Sequence, residues 1–471
     1  MKKLLLVCVI LGTKNIFAGA PDTMWTRTYG KPYPYIDAYS ICQTNDGNFI
    51  VAEPGVMKIK PNGDTIWTRS YTVGNYAYCY SASQTEDGGF IITGFTYSNN
   101  YDVYLARTNT IGDTMWTKIY GGANGDEGYS ALQMKNGGFI IAGYTGSFGP
   151  GNRVYIIGTD CNGDSLWAKA FGGTTYSCGC SMCEAQDSGF VIAGGKNNSS
   201  VYVVKIDCTG DTMWTRAYGS CTRGAYSICQ FSPERDSGFI IVGDLNAGRG
   251  IYLLRINSNG DSVWTKTYSK ESTAGYSICR TQDGGFVIAG GTYVASSYDD
   301  YLYLMKTNCY GDSLWTGRYR TLKYLTYYYD CRGYSICQAK DGTLIVVGKA
   351  SHSDNYVYVV RFKHEIAAEE SNTPTVFSCK SYPNPVSSNL SVEYSLPGSN
   401  TLSEQEVKLT IYDISGTRIK TLVNETQPIG KHIIHWNGKD DANRKVSAGI
   451  YFYSLSAGNY KSINKFILMK H

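Results

Sequence analysis

Side chains able to do enzyme chemistry are scarce in this sequence. The first 363 residues contain one histidine, His352. A Ser-His-Asp or Cys-His relay would have to run through it, and no G-x-S-x-G turn presents a serine nucleophile. His432 and His435 form an H-x-x-H pair, but on a strand that spacing sends the two rings to opposite faces and disfavours a shared zinc. Asp160-x-Asn162-x-Asp164 opens like a calcium loop, yet the loop's glycine and distal glutamate are missing, so it reads as a turn. Asp126-Glu127 offers two carboxylates of the kind glycosidases use, in a setting that reads as a solvated loop. No catalytic residue, cofactor or metal is therefore expected. The abundant functional group is instead the phenol: there are 41 tyrosines. A tyrosine ring stacks on sugars and apolar surfaces while its hydroxyl makes hydrogen bonds. Those in variable, loop-like segments are the binding candidates: Tyr76, Tyr78, Tyr97, Tyr101, Tyr293, Tyr298, Tyr324, Tyr327, Tyr328 and Tyr329.

What positions them is a repeat. A tryptophan recurs at Trp25, Trp67, Trp116, Trp167, Trp214, Trp264 and Trp315, always three residues after an aspartate and four before Tyr or Phe. A period near 50 marks a solenoid, propeller or array. Each copy holds four short runs rich in Val, Ile, Tyr and Trp; in the sixth they are 276–281, 286–290, 301–307 and 313–319. Asp-Gly and Asn-Gly turns join the first run to the second and the third to the fourth, which makes tight antiparallel hairpins. Four antiparallel strands per repeat build a propeller blade. The chain opens with a fourth-type strand (22–29) and leaves the repeats with three others. The expectation is an all-β, seven-bladed propeller over 21–363, its N-terminal strand completing the last blade. The tryptophans and their partner aromatics serve as blade anchors, because packing needs every copy. Phe49, Phe90, Phe139, Phe190, Phe239 and Phe286, with Leu344, form a second core register. The tight hairpins should crowd one face of the ring and the variable loops the other, where binding residues tend to sit.

Charge excludes one class of partner. The net charge is +4, with 11 Lys and Arg against 7 Asp and Glu after residue 373, so the rest is neutral. No basic stripe is present for nucleic acid. Residues 1–20 read as an export signal: Lys2-Lys3, an apolar run, then Ala18-Gly19-Ala20. No later stretch is apolar enough to span a membrane as a helix. Of 15 cysteines, Cys42, Cys183, Cys229, Cys279 and Cys337 share one register with Ser83 and Leu132, as a small buried site would. Cys178, Cys180, Cys221 and Cys331 sit where pairing is allowed, and the connectivity stays open.

A polar linker is read over 364–373, and 374–471 carries a different strand pattern, that of a small Ig-like β-sandwich. Its motifs are Tyr382-Pro383-Asn384-Pro385, Ile411-Tyr412-Asp413-Ile414-Ser415-Gly416, Trp436-Asn437-Gly438, Ala448-Gly449-Ile450-Tyr451 and Lys465-Phe466-Ile467-Leu468-Met469. With these motifs, residues 382–471 resemble the C-terminal sorting domain of the bacterial type IX secretion system and the related Ig-like domain of flagellar hook-capping proteins. The resemblance implies export across the outer membrane, the secretion machinery as a partner, and a secreted or cell-surface destination reached through the periplasm. The repeats resemble secreted bacterial propellers. The expected function is a non-catalytic binding or adhesion module for an extracellular glycan or protein. The alternatives are a secreted hydrolase of polysaccharide or peptide, and a structural surface-layer component.

Overall fold

The computed structural model describes residues 20–33, 37–71, 74–98, 100–172, 177–196, 200–219, 224–232, 236–245, 250–268, 272–294, 299–319, 330–351, 355–363, 378–382, 384–386, 389–396, 404–428, 430–458 and 460–469. It contains two compact units, 1–365 and 366–471. Among the described residues every regular element is a strand, and no helix is long and apolar enough to cross a membrane.

The first unit is a ring of seven four-stranded antiparallel sheets. Six blades are continuous in sequence: 40–69, 76–120, 126–171, 177–218, 225–268 and 272–319. The seventh takes Asp330–Gln338, Leu344–Ser351 and Asn355–Phe362 and is completed by Thr23–Tyr33, which pairs with Asn355–Phe362. The opening strand thus closes the ring and removes the free edge that an open array would leave. Pro21 strengthens the seam, its carbonyl accepting the Tyr319 hydroxyl of blade 6 at 2.9 Å.

The first strand of each blade lies next to the first strands of both neighbours, so it is innermost. Second and third strands are buried on both faces, as in Phe49–Ala52 and Val56–Ile59. This is why they read as unbroken apolar runs rather than alternating ones. The core lies between blades. Ile140, Ala142, Val154 and Ile156 of blade 3, for instance, pack on Phe190, Ile192, Val204 and Ile206 of blade 4. The six register phenylalanines and Leu344 are at most 2% exposed.

The recurring tryptophan motif forms a clasp from each fourth strand to the next blade. In blade 3's case the donor strand is Thr114–Tyr120 of blade 2. Trp116 lies against Gly163, which turns at φ 79° and whose hypothetical Cβ would stand 2.7 Å from the indole. Only glycine satisfies both conditions. The Tyr120 hydroxyl donates to the Gly163 carbonyl at 2.5 Å, and Lys118 pairs with Asp164 at 2.6 Å. The contacts recur with Trp67, Tyr71 and Arg69 on Gly112 and Asp113. They recur again with Trp264, Tyr268 and Lys266 on Gly311 and Asp312.

The second unit stacks a three-stranded sheet (Ser378–Tyr382, Leu390–Leu396, Gly430–Trp436) on a four-stranded one. The latter is ordered Arg418–Pro428, Glu404–Asp413, Gly449–Ala457, Tyr460–Leu468. Its core joins Leu390, Val392, Leu409, Ile411, Trp436, Tyr453 and Phe466.

Candidate functional site

The first strands of six blades depart from a regular ladder at an equivalent place. Pairing skips a residue between Cys79 and Ser81, Gly128 and Ser130, Gly179 and Ser181, Ala225 and Ser227, Gly275 and Ser277, and Gly333 and Ser335. The skipped residues are Tyr80, Tyr129, Cys180, Tyr226, Tyr276 and Tyr334; in blade 1, Tyr39 stands just ahead of the strand. A bulge turns its extra residue out of the alternation, here toward the axis. The rings of neighbouring blades meet one another. Tyr39–Tyr80 centroids lie 5.2 Å apart, Tyr80–Tyr129 5.1 Å, Tyr226–Tyr276 5.4 Å, Tyr276–Tyr334 5.4 Å and Tyr334–Tyr39 5.4 Å. The result is a collar of six tyrosines interrupted by Cys180 in blade 4. The serine that follows each bulge fixes the spacing. Ser335 Oγ accepts from the Ile41 amide at 3.2 Å, Ser227 Oγ from Ile278 at 3.3 Å, and Ser277 Oγ from Ile336 at 3.2 Å.

Blade 2 extends the collar outward. Tyr78 stacks on Phe95 at 5.6 Å and 9°, Phe95 meets Tyr101 edge-on at 5.1 Å, and Tyr76 stacks on Tyr97 at 5.4 Å. Tyr76 and Tyr101 are 43% and 39% exposed, which leaves ring surface open to a ligand. The structure therefore brings four of the ten candidate tyrosines, Tyr76, Tyr78, Tyr97 and Tyr101, into one cluster around Phe95. Tyr293 stands at the end of the second strand of blade 6, in a different sector of the ring. Tyr298, Tyr324, Tyr327, Tyr328 and Tyr329 lie outside the described residues. Sequence reasoning missed the collar itself. The signal was available, since Tyr-Ser recurs in six of the seven repeats, but period-two alternation alone does not reveal a bulge.

Carboxylates sit among these rings. Glu127 accepts the Tyr144 hydroxyl at 3.3 Å. Burial raises its pKa, and hydrogen bonds from Tyr80, Tyr129 and Tyr144 pull it partly back. Asp37 accepts the Tyr39 hydroxyl at 3.1 Å. Burial raises Glu53, between the second and third strands of blade 1, to about 7. The phenols of Tyr39 and Tyr80 are pushed well above their ordinary value, chiefly by burial, and stay neutral donors. The expectation of a solvated loop at Asp126-Glu127 needs correction. Blade 3 pairing continues to its first residues, Asp126 opposite Thr145 and Glu127 opposite Tyr144, and Asp126 is 0% exposed.

Other candidate groups have structural surroundings. Asp160 caps its own turn, its carboxylate accepting the amides of Asn162 at 2.9 Å and Asp164 at 2.8 Å. His432 stacks on Tyr394, and His435 Nδ1 bonds Ser391 Oγ at 2.9 Å. Among the described residues no three His, Cys, Asp or Glu side chains gather as a metal set. Cys178 and Cys180 sulfurs lie 3.1 Å apart as thiols. Cys221 is outside the described residues. In the second unit, Tyr382 donates to Glu393 at 3.2 Å, and Asn384 accepts the Ile467 amide at 3.0 Å and donates to the Lys465 carbonyl at 3.2 Å. The Asn384–Pro385 bond is cis. Gly449 opens the strand in which Tyr451 packs on Phe466 at 5.8 Å. Pro383 lies outside the described residues.

Residues 387–461 match the FlgD Ig-like domain. No curated protein matches the chain. Among solved structures the chain is similar to PorZ, described as an essential bacterial surface component of the type-IX secretion system of Porphyromonas gingivalis. Identity is 9%, covering 90% of this chain and 69% of that one, with a TM-score of 0.35. It is similar to the Pan2 WD40 domain of Neurospora crassa at 9% identity, covering 73% and 97% of the two chains, TM-score 0.47. For Hsv2p of Kluyveromyces lactis the values are 11%, 70% and 97%, and 0.40. Likenesses this distant carry no argument; the fold is read from the sheets themselves. The chain is a β-propeller followed by a segment matching the FlgD Ig-like domain.

Proposed function

We propose that this protein is an exported, non-catalytic binding module that takes an extracellular glycan on the collar and the blade 2 tyrosines. One observation carries the reading: ring contacts run without a break from the exposed Tyr76 and Tyr101, through the buried Phe95, to the half-buried Tyr80 and Tyr39, with hydroxyls and the Glu127 carboxyl among them. Ring stacking plus convergent hydroxyl and carboxyl groups suits a polyhydroxylated ring better than a charged or purely apolar ligand. Export through a type IX sorting role of the second unit is supported by its Tyr382–Pro385 and Gly449–Tyr451 motifs and by the match over 387–461. The test of binding is a glycan array probed with the mature chain. Tyr76→Ala/Tyr101→Ala should abolish the signal without lowering the melting temperature. Binding of proteins but no glycans would redirect the ligand class. Glycan turnover lost in Glu127→Gln would replace the module by a hydrolase. Retention of a chain lacking 374–471 in the periplasm would support the export route, and its unchanged secretion would refute it.

A structural surface-layer role is favoured by a different observation. The residue before each tryptophan is a large apolar one left 41–61% exposed: Met24, Ile66, Met115, Leu166, Met213, Val263 and Leu314. An apolar belt around the outer edge could pack copies side by side. Sedimentation of a monomer at every concentration tested would remove this reading.

A further inference from the structure

We propose that the seam between blades 2 and 3 holds a divalent cation, Ca²⁺ by its chemistry, between the carboxylates of Asp102 and Asp126. Asp126 opens the first strand of blade 3 and is 0% exposed. One of its oxygens, Oδ2, accepts from the Gly122 amide at 2.9 Å and from Ser147 Oγ at 2.7 Å. The other, Oδ1, is buried with no partner, and so is Oδ1 of Asp102 on the third strand of blade 2. An unpaired buried carboxylate oxygen is costly, and one on each of two neighbouring carboxylates is more so. The carboxylates converge at Gly121. A Cβ there would stand 2.0 Å from Asp102 Oδ1 and 2.9 Å from Asp126 Oδ2, so glycine keeps the gap open. Burial raises the Asp102 carboxyl, and the Asp126 charge raises it further. Among the described residues neither forms an ion pair with Lys or Arg.

The seam between blades 6 and 7 supplies the contrast. There Asp300 meets Arg332 at 2.9 Å, and the protein provides the positive charge itself. The blade 2–3 seam presents the negative half alone. The donors available are all oxygens, which selects a hard cation, and Ca²⁺ accepts irregular oxygen sets completed by water. Asp102 as a residue is only partly buried, so solvent lies at the margin of the site although Oδ1 itself is covered. The walls are preset: Asn100 Nδ2 bonds the Gly122 and Asn124 carbonyls at 2.8 and 2.9 Å.

The rival arrangement is a proton shared by the two carboxyls. The full-length mature chain, stripped with a chelator, decides between them by calorimetric titration with CaCl₂, thermal melting, and Tb³⁺ luminescence excited through tyrosine. Ca²⁺ should bind one-to-one and raise the melting temperature by several degrees, and Tb³⁺ should light up and be displaced by Ca²⁺. Asp102→Asn, at a partly exposed position, should melt at or above the stripped wild type while losing at least tenfold in affinity. Gly121→Ala should lose binding with both carboxylates intact. Absence of Ca²⁺ and Tb³⁺ binding in the wild type, or unchanged affinity in Asp102→Asn, would overturn the proposal. So would a melting temperature that responds to acid but not to Ca²⁺.

Discussion

The propeller uses tyrosine hydroxyls in two rings that behave differently. At the outer edge the plus-four tyrosine is spent internally: Tyr120 on Gly163, Tyr71 on Gly112, Tyr29 on Gly63. Departures there remove a group and add none: Phe171 lacks the hydroxyl in one blade, and Gly317 stands for Lys or Arg in another. At the axis the bulge tyrosines touch one another, and hydroxyls among them reach the Asp37 and Glu127 carboxylates. Departures there change chemistry: Cys180 breaks the collar, and Glu127 and Asp126 insert acids into a single blade. Where every repeat keeps a contact, packing requires it; where one repeat departs in kind, a local role is the better explanation.

Breaking the outer ring should cost most. Removing residues 21–30 takes away Trp25, Tyr29 and most of the pairing to Asn355–Phe362. The loss is expected to be on the order of the whole 5–15 kcal/mol stability of a folded domain, read as the disappearance of a cooperative melting transition. A truncated chain that melts like the intact one would mean that closure does not hold the ring. Trp116→Ala leaves a void over Gly163 and should cost about 2–4 kcal/mol, discounted from the fully buried case because the indole is half-exposed. Gly163→Ala puts a methyl into the indole at positive φ and should cost about 1–3 kcal/mol. Tyr120→Phe removes one hydrogen bond, about 1 kcal/mol. Tyr76→Ala at the collar's outer margin should change stability by less than about 0.5 kcal/mol while removing ligand binding. Denaturant titration measures all four, and equal costs at Trp116 and Tyr76 would erase the distinction between the two rings.

The pH profile separates scaffold from collar by sign. Burial works to raise the hairpin carboxyls of Asp187 and Asp283, but hydrogen bonds from Lys205 and Lys306 hold them below the ordinary range. A depressed folded pKa gives stability that is present above the unfolded value, about 3.9, and lost as pH falls below it. Glu53 at about 7 and Glu127 are raised by burial instead. Their contribution is complete below the unfolded value, about 4.3, and disappears as pH rises through the folded one. Stability should therefore climb from pH 7.5 to about 4.5 and drop below about 4. Glu53→Gln/Glu127→Gln should flatten the neutral limb and leave the acid limb alone. A neutral limb that survives both changes would place the titrating groups elsewhere.

Periodicity made the fold legible. Seven tryptophans at constant offsets from Asp and Tyr gave the blade count, and the phase mismatch between the chain's two ends gave the closing strand. The hairpins followed because Asp-Gly and Asn-Gly turns have few backbone solutions. The collar was not legible by the same route. Tyr80 and Tyr129 lie in strands whose alternation is broken by one residue, and a bulge has no signature in hydrophobic pattern. Asp126 and Glu127 follow Gly-Gly-Ala-Asn-Gly, which is loop composition, although pairing with Thr145 and Tyr144 extends the strand over them. The Asp102–Asp126 encounter joins two blades across a seam, information that no single repeat contains.

The thiol register gives a small expected effect and a sharp one. Cys42 Sγ donates to the Ala82 carbonyl of the next blade at 3.5 Å, and in blade 2 Ser83 Oγ makes the same kind of contact with Ala131 at 2.8 Å. In these two blades the site holds a small side chain with a donor, and in blade 3 Leu132 fills it with none, so sulfur chemistry is not what it asks for. Cys42→Ser should therefore shift stability by less than about 1 kcal/mol, since one weak donor replaces another at nearly constant volume. Burial pushes the Cys42 and Cys183 thiols up to about 12, which leaves almost no thiolate at neutral pH. Cys161 and Cys208, exposed on the outer hairpins, have no such shelter. Brief alkylation of the native protein at pH 8, followed by peptide mass spectrometry, should label Cys161 and Cys208 and spare Cys42 and Cys183. Early labelling of Cys42 would mean that the innermost strands separate far more often than their packing allows, and that the axis is less firmly held than the edge.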